Sequence, residues 1–297
     1  MSTINDISIR TPLAAVANGA HIRVYQLAVD GGVRETLYEG GWTGGQAENT
    51  IGTVRLNSPL AATALALDHI RVYGIDNDST LKEFAYDADQ GWYLGGLTGQ
   101  FSVAPYSAVA AVFLANKTKL RVYAQLPDNT IQEYSWDGNG WYKDQNLGQA
   151  LPGTSIAATS WGESEDSISI RVYFQDTDKN VIEKGHDPNS SGWYTGYLSF
   201  KNDVTRASLA AVSWGGPHVR LYYTAPDGCI REKVSGGHWS DGQFVQPALP
   251  ASSVAAITIG GPQLRIYLQN GTDNTAVTEF IPSGDGGVVG YQALPPA

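Results

Sequence analysis

The segment Leu120–Trp141 reads LRVYAQLPDNTIQEYSWDGNGW and carries the pattern that decides the fold. An apolar run around Arg121 is followed by a Pro-Asp-Asn turn, a second run that contains Glu133, and a closing tryptophan. Five further copies place their arginines at Arg23, Arg71, Arg171, Arg220 and Arg265. Successive arginines are separated by 48, 50, 50, 49 and 45 residues, so one module repeats along the whole chain. A period of this length indicates a repeat architecture.

Each module is predicted to form four short strands. It opens on an alanine pair such as Ala110-Ala111, enters the arginine strand, turns at Asp-, Asn- or Gly-rich residues, and carries its glutamate on a third strand. A fourth strand begins at a Gly-Trp or His-Trp step in five modules. Six such modules without helical periodicity predict an all-β chain that forms a six-bladed β-propeller, with four short antiparallel strands per blade. Residues 1–297 are expected to form this single propeller domain, and a β-sandwich or an irregular all-β fold is the alternative.

Composition and charge argue against several functions. Charged residues make up 16% of the chain and the net charge is −10, so a phosphate backbone would be repelled and nucleic acid is not expected as a partner. Cys229 is the single cysteine and no Cys/His cluster has zinc spacing, so no metal or cofactor is expected. No apolar run reaches the length of a membrane span. The start at Met1 lacks the regions of a signal peptide, which predicts a cytoplasmic protein or one released or surface-associated by a non-classical route.

A glutamate follows each arginine at a nearly constant distance. It lies 12 residues after the arginine in five modules and 14 residues after it in the sixth, where Glu279 follows Arg265. Both separations are even and span a turn, so the two side chains are expected on one face of adjacent antiparallel strands. The six glutamates are Glu35, Glu83, Glu133, Glu183, Glu232 and Glu279.

Two recurrent positions for aromatic residues complete the module. The first lies three residues after the glutamate and holds, in chain order, Tyr38, Tyr86, Trp136, His186, Ser235 and Pro282. The second opens the fourth strand and holds Trp42, Trp92, Trp141, Trp193, Trp239 and Val288. A guanidinium donates and a carboxylate accepts, which together match vicinal sugar hydroxyls, while an indole face covers the C–H side of the ring. The pattern indicates a carbohydrate-binding site, and the alternative is polar cross-linking and aromatic packing between blades.

The phrases Ile-Arg-Val-Tyr, Ile/Val-x-Glu and Trp-Asp-Gly-x-Gly-Trp resemble the repeat of the fungal and bacterial fucose-binding lectins typified by the Aleuria lectin, over essentially the entire chain. The resemblance implies a six-bladed propeller with fucose sites between neighbouring blades. One blade would supply the arginine and glutamate, and the next blade the two aromatic residues. It also implies a homodimer, with fucosylated glycans and glycoproteins as partners. Fucose is a 6-deoxy sugar, so its methyl group would enter an apolar pocket in which a 6-hydroxyl would find no partner.

Carried onto this sequence, that arrangement implies six sites of unequal quality. The three most complete combine Arg71 and Glu83 with Trp136 and Trp141, Arg23 and Glu35 with Tyr86 and Trp92, and, across the ring closure, Arg265 and Glu279 with Tyr38 and Trp42. Two less complete sites combine Arg121 and Glu133 with His186 and Trp193, and Arg171 and Glu183 with Ser235 and Trp239. At the sixth site, Arg220 and Glu232 are expected to face Pro282 and Val288 without an aromatic residue. This last site is predicted to be weak or lost.

Two other functions fit the sequence less well than a lectin. A glycosidase needs two nearby carboxylates, one with a raised pKa, whereas each glutamate here is matched to an arginine that is expected to lower its pKa and keep it ionised. No nucleophilic triad is recognisable, so an enzyme is not expected. A protein-interaction propeller would not need an arginine, a glutamate and an aromatic residue in each blade. The sequence therefore favours a metal-independent, non-catalytic lectin with several sites.

Overall fold

The computed structural model describes residues 6–114, 118–273, 275–283 and 286–296. Its strands form six antiparallel sheets, and each sheet is built from consecutive strands of the chain. Within a sheet the strands pair in sequence order from the inner to the outer edge, which is how the blades of a propeller are built. The predicted all-β, six-bladed propeller is confirmed.

The first three blades are formed by strands β1 to β13. Blade 1 comprises β1 (Leu13–Asn18), β2 (His21–Leu27), β3 (Gly32–Tyr38), β4 (Trp42–Gly44) and β5 (Thr50–Thr53). Blade 2 comprises β6 (Ala61–Leu65), β7 (His69–Ile75), β8 (Leu81–Asp87) and β9 (Gly91–Leu94). Blade 3 comprises β10 (Val109–Leu114), β11 (Lys119–Gln125), β12 (Thr130–Trp136) and β13 (Trp141–Gln149).

The remaining blades are formed by strands β14 to β25. Blade 4 comprises β14 (Ala157–Trp161), β15 (Ser169–Gln175), β16 (Asn180–His186) and β17 (Tyr194–Lys201). Blade 5 comprises β18 (Leu209–Trp214), β19 (His218–Thr224), β20 (Cys229–Gly236) and β21 (Trp239–Pro247). Blade 6 comprises β22 (Val254–Thr258), β23 (Leu264–Leu268), β24 (Val277–Ile281) and β25 (Val288–Leu294). In the described part of the chain, no helix is long and apolar enough to cross a membrane.

Blade 1 departs from the predicted four strands because its outer edge is divided. Both β4 and β5 pair with β3, and the short 3-10 turn Ala47–Asn49 lies between them. Gly44 and Gly45 have φ values of 80° and 83°, a left-handed conformation that ends β4. Strand β5 then pairs with the remainder of β3 and forms the rest of the outer edge.

The inner strand of each blade packs against the inner strands of both neighbours around a central channel. Contacts between β22 and β1 close the ring. The second alanine of each pair lines a cavity of about 420 Å³ in this channel; these residues are Ala15, Ala62, Ala111, Ala158, Ala211 and Ala256. Small side chains suit this position because six strands converge there.

The hydrophobic core lies between blades rather than within them. Tyr25 and Val33 of blade 1 pack with Val72 and Phe84 of blade 2, and comparable clusters join each further pair of neighbours. The last cluster joins blade 6 to blade 1 and contains Leu13. A side chain on the inter-blade face of one sheet is therefore shielded from water by the next sheet.

Candidate functional sites between the blades

A tyrosine that the sequence analysis did not use fixes the glutamate of every blade. The residue two positions after the arginine lies directly opposite the glutamate in the β-ladder, as Tyr73 lies opposite Glu83. Its hydroxyl donates to the glutamate carboxylate at 2.8–2.9 Å in each blade. These tyrosines are Tyr25, Tyr73, Tyr123, Tyr173, Tyr222 and Tyr267. The signal was present in the sequence, because a tyrosine closes every copy of the arginine strand.

The arginine lies beside the glutamate on the same face, as the even separation predicts. In five blades an Nε to carboxylate-oxygen distance of 3.3–4.0 Å joins the two side chains. In blade 1, Arg23 instead donates through Nη1 to Glu39 at 2.5 Å. Most of these Arg–Glu distances exceed that of a hydrogen bond, so neither group is saturated by the other. Each pair retains donors and acceptors that a ligand can use.

A second carboxylate holds the outer end of the guanidinium in four blades, and sequence reasoning missed it. It lies 16 residues after the arginine and accepts hydrogen bonds from Nη1 at 2.5–3.1 Å. The four residues are Glu39, Asp87, Asp137 and Asp187. The same offset falls on Gly236 in blade 5, and in blade 6, where the glutamate comes two residues later, the equivalent position is Ser283. Among the described residues, no second carboxylate supports Arg220 or Arg265.

The tryptophan of the next blade reaches the tyrosine that anchors each glutamate. Ring centroids are 5.9–6.4 Å apart and nearly perpendicular in five interfaces, including Trp42 against Tyr267 at the ring closure. The indole Nε1 of Trp193 donates to Glu133 across the interface at 3.4 Å. The first aromatic position lies beside this tryptophan on the next blade; the pairs are Tyr38–Trp42, Tyr86–Trp92, Trp136–Trp141 and His186–Trp193, at 5.3–6.0 Å.

Three inter-blade cavities contain residues of the predicted sets. A cavity of about 510 Å³ between blades 3 and 4 is lined by Arg121, Glu133, His186 and Trp193. Another of about 440 Å³ between blades 6 and 1 is lined by Arg265, Glu279, Tyr38 and Trp42. A third of about 440 Å³ between blades 5 and 6 is lined by Arg220, Glu232 and Pro282.

The site between blades 5 and 6 differs from the sequence expectation in its aromatic residue. Val288 pairs with Ile281 rather than opposite Pro282 and is 54% exposed, so it does not occupy the tryptophan position. Phe244, from the blade that carries Arg220, packs at right angles to Tyr222 with centroids 5.3 Å apart. In blades 1, 2, 3 and 5 the tryptophan pairs with the residue three positions after the glutamate, whereas Val288 pairs with the residue two positions after Glu279. The sequence spacing did not reveal this difference in register.

Burial, not the arginine, dominates the titration of the glutamates. Desolvation raises the pKa of Glu35, Glu83, Glu183 and Glu279 above its ordinary value, although hydrogen bonds and the neighbouring arginine act in the opposite direction. For Glu133 desolvation raises the pKa to about 7, and the nearby Asp144 carboxylate adds to the rise. The expectation that the arginine would lower the pKa of the glutamate is therefore wrong for these five residues, because burial between the blades removes water from the carboxylate.

Among the described residues there is no group of three or more His, Cys, Asp or Glu side chains that could hold a metal ion. The polar groups that converge at each site include one guanidinium and one buried, tyrosine-anchored carboxylate, and at three interfaces the indole N–H of Trp141, Trp193 or Trp239 faces that carboxylate. Together with two aromatic faces, these groups match the hydroxyls and the C–H surface of a sugar ring. The fold and the sites define a propeller of the sugar-binding class.

Comparison with known proteins identifies the family. Residues 7–297 match the family described as fungal fucose-specific lectin, and the chain belongs to it. A fucose-specific lectin of Aspergillus fumigatus is 44% identical over 305 aligned positions. The alignment covers 97% of this chain and 96% of that lectin. The fucose-specific lectin of Aleuria aurantia is 34% identical, and the alignment covers 80% of this chain and 78% of that lectin. The resemblance found in the sequence is confirmed.

Solved structures share the fold over nearly the whole chain. The SapL1 lectin in complex with alpha methyl fucoside superposes with a TM-score of 0.93 at 48% identity and covers 100% of both chains. The Aleuria aurantia lectin, described as a six-bladed β-propeller, superposes with a TM-score of 0.83 at 30% identity and covers 97% of both.

Proposed function

We propose that this chain is a lectin that binds L-fucose and fucosylated glycans at several inter-blade sites, without catalysing a reaction. The observation that carries the proposal is the repeated group of an arginine and a tyrosine-anchored glutamate, placed against the tryptophan of the next blade. Family membership and the fucoside complex of the SapL1 lectin support the choice of sugar.

Each group in the site has a distinct role in the proposal. The arginine donates to ring hydroxyls, and the glutamate accepts from them; a charge-assisted hydrogen bond of this kind is worth about 1.5–3 kcal/mol when well formed. The tryptophan and the first aromatic residue cover the C–H face of the ring and the methyl group. A 6-hydroxyl in place of this methyl group would lose its hydration without gaining a partner.

The six sites are proposed to differ in affinity. The sites of Arg23, Arg71 and Arg265 meet two aromatic residues of the next blade, and those of Arg121 and Arg171 meet Trp193 and Trp239 beside a histidine or a serine. The site of Arg220 and Glu232 lacks both aromatic residues of the next blade and the second carboxylate, so it is proposed to be the weakest.

A non-catalytic, metal-independent role follows from the chemistry of the donor set. Each site offers one buried glutamate, whereas glycoside hydrolysis normally requires a pair of carboxylates across the scissile bond. The additional acids are engaged by other groups. Asp87 is engaged by Arg71 and by the hydroxyl of Tyr93. Asp144, in the cavity of Glu133, is engaged by the hydroxyl of Ser135 at 2.8 Å. We also propose that the chain forms a homodimer, which would double the number of sites that can engage a glycan-coated surface. The protein is proposed to act in the cytoplasm, or outside the cell after non-classical release.

Isothermal titration with methyl α-L-fucoside in EDTA tests the proposal. Micromolar binding at about three to five sites per chain is expected, since a small monosaccharide site is weak and gains avidity only through repetition. Methyl α-L-galactoside is the matched ligand, because it differs only by the 6-hydroxyl and should bind at least tenfold more weakly. Absence of heat with the fucoside would contradict the proposal and leave the Arg–Glu pairs as cross-links in a scaffold.

Single-site variants test the assignment of residues. Arg71→Ala or Glu83→Ala should remove one binding site per chain and leave the others at their original affinity. Arg231→Ala is the matched control, because Arg231 is exposed and paired with Asp227 away from the inter-blade sites. An unchanged number of sites in the Arg71 and Glu83 variants would show that these residues are assigned wrongly.

A further inference from the structure

A cavity of about 450 Å³ lies at the end of the central channel where the inner strands begin. Arg10, Arg55 and Arg206 line it, and no carboxylate is present among its described lining residues. The inter-blade arginines lie towards the opposite end of the channel. For example, the guanidinium of Arg171 is 4.8 Å from the ring centroid of Trp161, which lines the cavity at that end. The arginine-lined cavity is therefore separate from the inter-blade sites.

Arg55 carries a charge that its own protein does not balance. Its side chain is partly buried, and it makes no hydrogen bond or ion pair with any residue that the structure describes. Burial lowers the pKa of Arg55, and no nearby acid counteracts this shift. Arg206 donates through Nε to the carbonyl of Pro152 at 3.0 Å, whereas the partly exposed guanidinium of Arg55 keeps all its donors for a ligand. The cavity thus presents a positive group that no described acid pairs.

Arg10 and Arg206 occupy the same repeat position, four residues before the alanine pair. Both adopt positive φ, 59° and 60°, and two equivalent positions hold Asn57 and Gly153. Positive φ suits glycine and asparagine, since the Cβ of other residues crowds the backbone at a cost of roughly 1–2 kcal/mol. Ala251, the equivalent residue of blade 6, has a φ of 61° as well, so the conformation belongs to the repeat and is not specific to arginine. What Arg10 and Arg206 share beyond this conformation is that both line the cavity.

Three serine hydroxyls in the same cavity are left as donors. Ser155, Ser208 and Ser253 each accept a backbone N–H, from Leu209, Val254 and Leu13, at 3.0–3.2 Å. A hydroxyl that accepts in this way still has its own proton to donate. All three serines line the cavity beside the arginines. The mouth therefore combines cationic and neutral donors, which is the composition of an oxyanion site.

We propose that this mouth of the channel binds one compact oxyanion per chain, a molecule that bears phosphate or sulfate groups. The planar guanidinium forms paired hydrogen bonds with such oxygens, and the serine hydroxyls complete their coordination. The site lies on the channel axis, so its stoichiometry is one per chain, in contrast to the several inter-blade sites. The ligand is independent of the sugar, and the failure of either proposal leaves the other intact.

Calorimetric titration of the full chain with pyrophosphate and with a trisulfated heparin disaccharide tests this proposal. The ionic strength is held at about 0.15 M, because the aspartates of the nearby hairpin turns repel anions at longer range and salt screens this effect. One-to-one binding is expected for at least one probe. Binding of pyrophosphate alone would indicate a phosphorylated ligand, and binding of the disaccharide alone a sulfated one.

Two variants and one control complete the experiment. Arg55→Gln and, separately, Arg10→Gln should weaken anion binding at least tenfold while leaving methyl α-L-fucoside binding unchanged, which also reports that the variant is folded. Arg231→Gln removes the same charge elsewhere and should bind the anion normally. The proposal is overturned if neither probe binds at millimolar concentration, or if the control loses as much affinity as the two cavity variants.

Discussion

The tyrosine that precedes each inter-blade site sets the position of its glutamate. Tyr73 is fully buried and donates to Glu83 at 2.9 Å, while the backbone N–H of Leu97 donates to the other carboxylate oxygen at 2.9 Å. These two donors, both from the blade that carries Glu83, hold the carboxylate in one orientation before a ligand binds. Preorganisation of this kind lowers the entropic cost of binding.

The Tyr73→Phe substitution tests this anchoring role. It removes the phenol donor without changing the ring, so we expect a loss of about 1 kcal/mol in unfolding free energy and a several-fold weaker fucoside affinity at one site. Tyr134→Phe is the matched control, because the hydroxyl of Tyr134 is buried without a hydrogen-bond partner among the described residues. Urea unfolding and calorimetry measure both effects, and equal behaviour of the two variants would contradict the role of the hydrogen bond.

Glu133 makes the site between blades 3 and 4 sensitive to pH near neutrality. Its pKa is raised to about 7 by burial, so the carboxylate takes up a proton as the pH falls through this value. If the ligand hydroxyls donate to the ionised form, affinity at pH 6 should be about tenfold lower than at pH 8. The contribution of this group to folding stability has the opposite sign: the raised pKa stabilises the folded chain at low pH, and this stabilisation is lost as the pH rises through about 7.

A chain with a single intact site makes this pH dependence measurable. The arginines of the other five sites are replaced by alanine, and fucoside affinity is titrated between about pH 6 and pH 8. In this background Glu133→Gln should bind weakly and without pH dependence, which separates Glu133 from the other titratable residues of the cavity, Asp144, Asp166 and His186. A flat profile in the chain that retains Glu133 would contradict the prediction.

At the scale of the strand, a glycine in the outer strand or directly after it makes room for four of the six buried glutamates. A Cβ on Gly95 would lie 2.3 Å from the carboxyl carbon of Glu83, and Gly196, Gly242 and Gly290 approach their glutamates in the same way. None of these four glycines has a positive φ, so it is the close approach and not the backbone conformation that requires glycine. In these four blades the outer edge therefore shapes the site by leaving space for the carboxylate.

Gly95→Ala should displace Glu83 and abolish binding at one site. The added methyl group meets the carboxylate, so the side chain must leave the position in which Tyr73 and Leu97 bond it, and stability should fall by about 1–3 kcal/mol. Gly236→Ala is the control, because its Cβ would meet only His218, at an ordinary distance of 3.5 Å. The number of fucoside sites measured by calorimetry distinguishes the two variants. If Gly95→Ala retained every site, the glycine would not be required.

At the scale of the whole molecule, the ring is closed by packing and by polar contacts that include one buried glutamine. The side-chain oxygen of Gln269 accepts from the N–H of Thr11 at 3.0 Å, and its amide nitrogen donates to the carbonyl of Ser8 at 3.2 Å. Gln125 and Gln175 make the equivalent contacts between blades within the chain. The bond at Gln269 differs because it joins opposite ends of the sequence, and the site of Arg265 depends on that closure.

Gln269→Leu should weaken the closure and, with it, the site between blades 6 and 1. Loss of the amide leaves the buried N–H of Thr11 without an acceptor, which costs about 1–3 kcal/mol. Gln90→Leu, at an exposed turn, is the control. We expect a lower urea midpoint for Gln269→Leu alone, together with loss of affinity at one site. Identical midpoints for the two variants would show that the ring closes without this glutamine.

The amino-acid sequence by itself determined the number of blades, the antiparallel strands and the face shared by arginine and glutamate. These properties depend on local rules: a repeated period, turn-forming residues and the two-residue alternation of a strand. The tyrosine anchor follows from the same alternation, because Tyr73 and Glu83 are direct partners in the ladder. The pairing of Trp42 with the blade of Arg265 was also anticipated, since a closed ring makes the first and last blades neighbours.

Only the tertiary structure decided the raised pKa values of the glutamates and the packing of Phe244 against Tyr222. The pKa values depend on burial by the neighbouring blade, and the contact of Phe244 joins two strands of one blade that are not adjacent in its sheet. No spacing along the chain expresses either. Glu133 has a pKa near 7 because the neighbouring blade takes water away from it, and a distance along the chain to Arg121 contains no information about that burial. The same holds for Arg10, Arg55 and Arg206, which are distant in sequence and meet only because the six blades close around one channel.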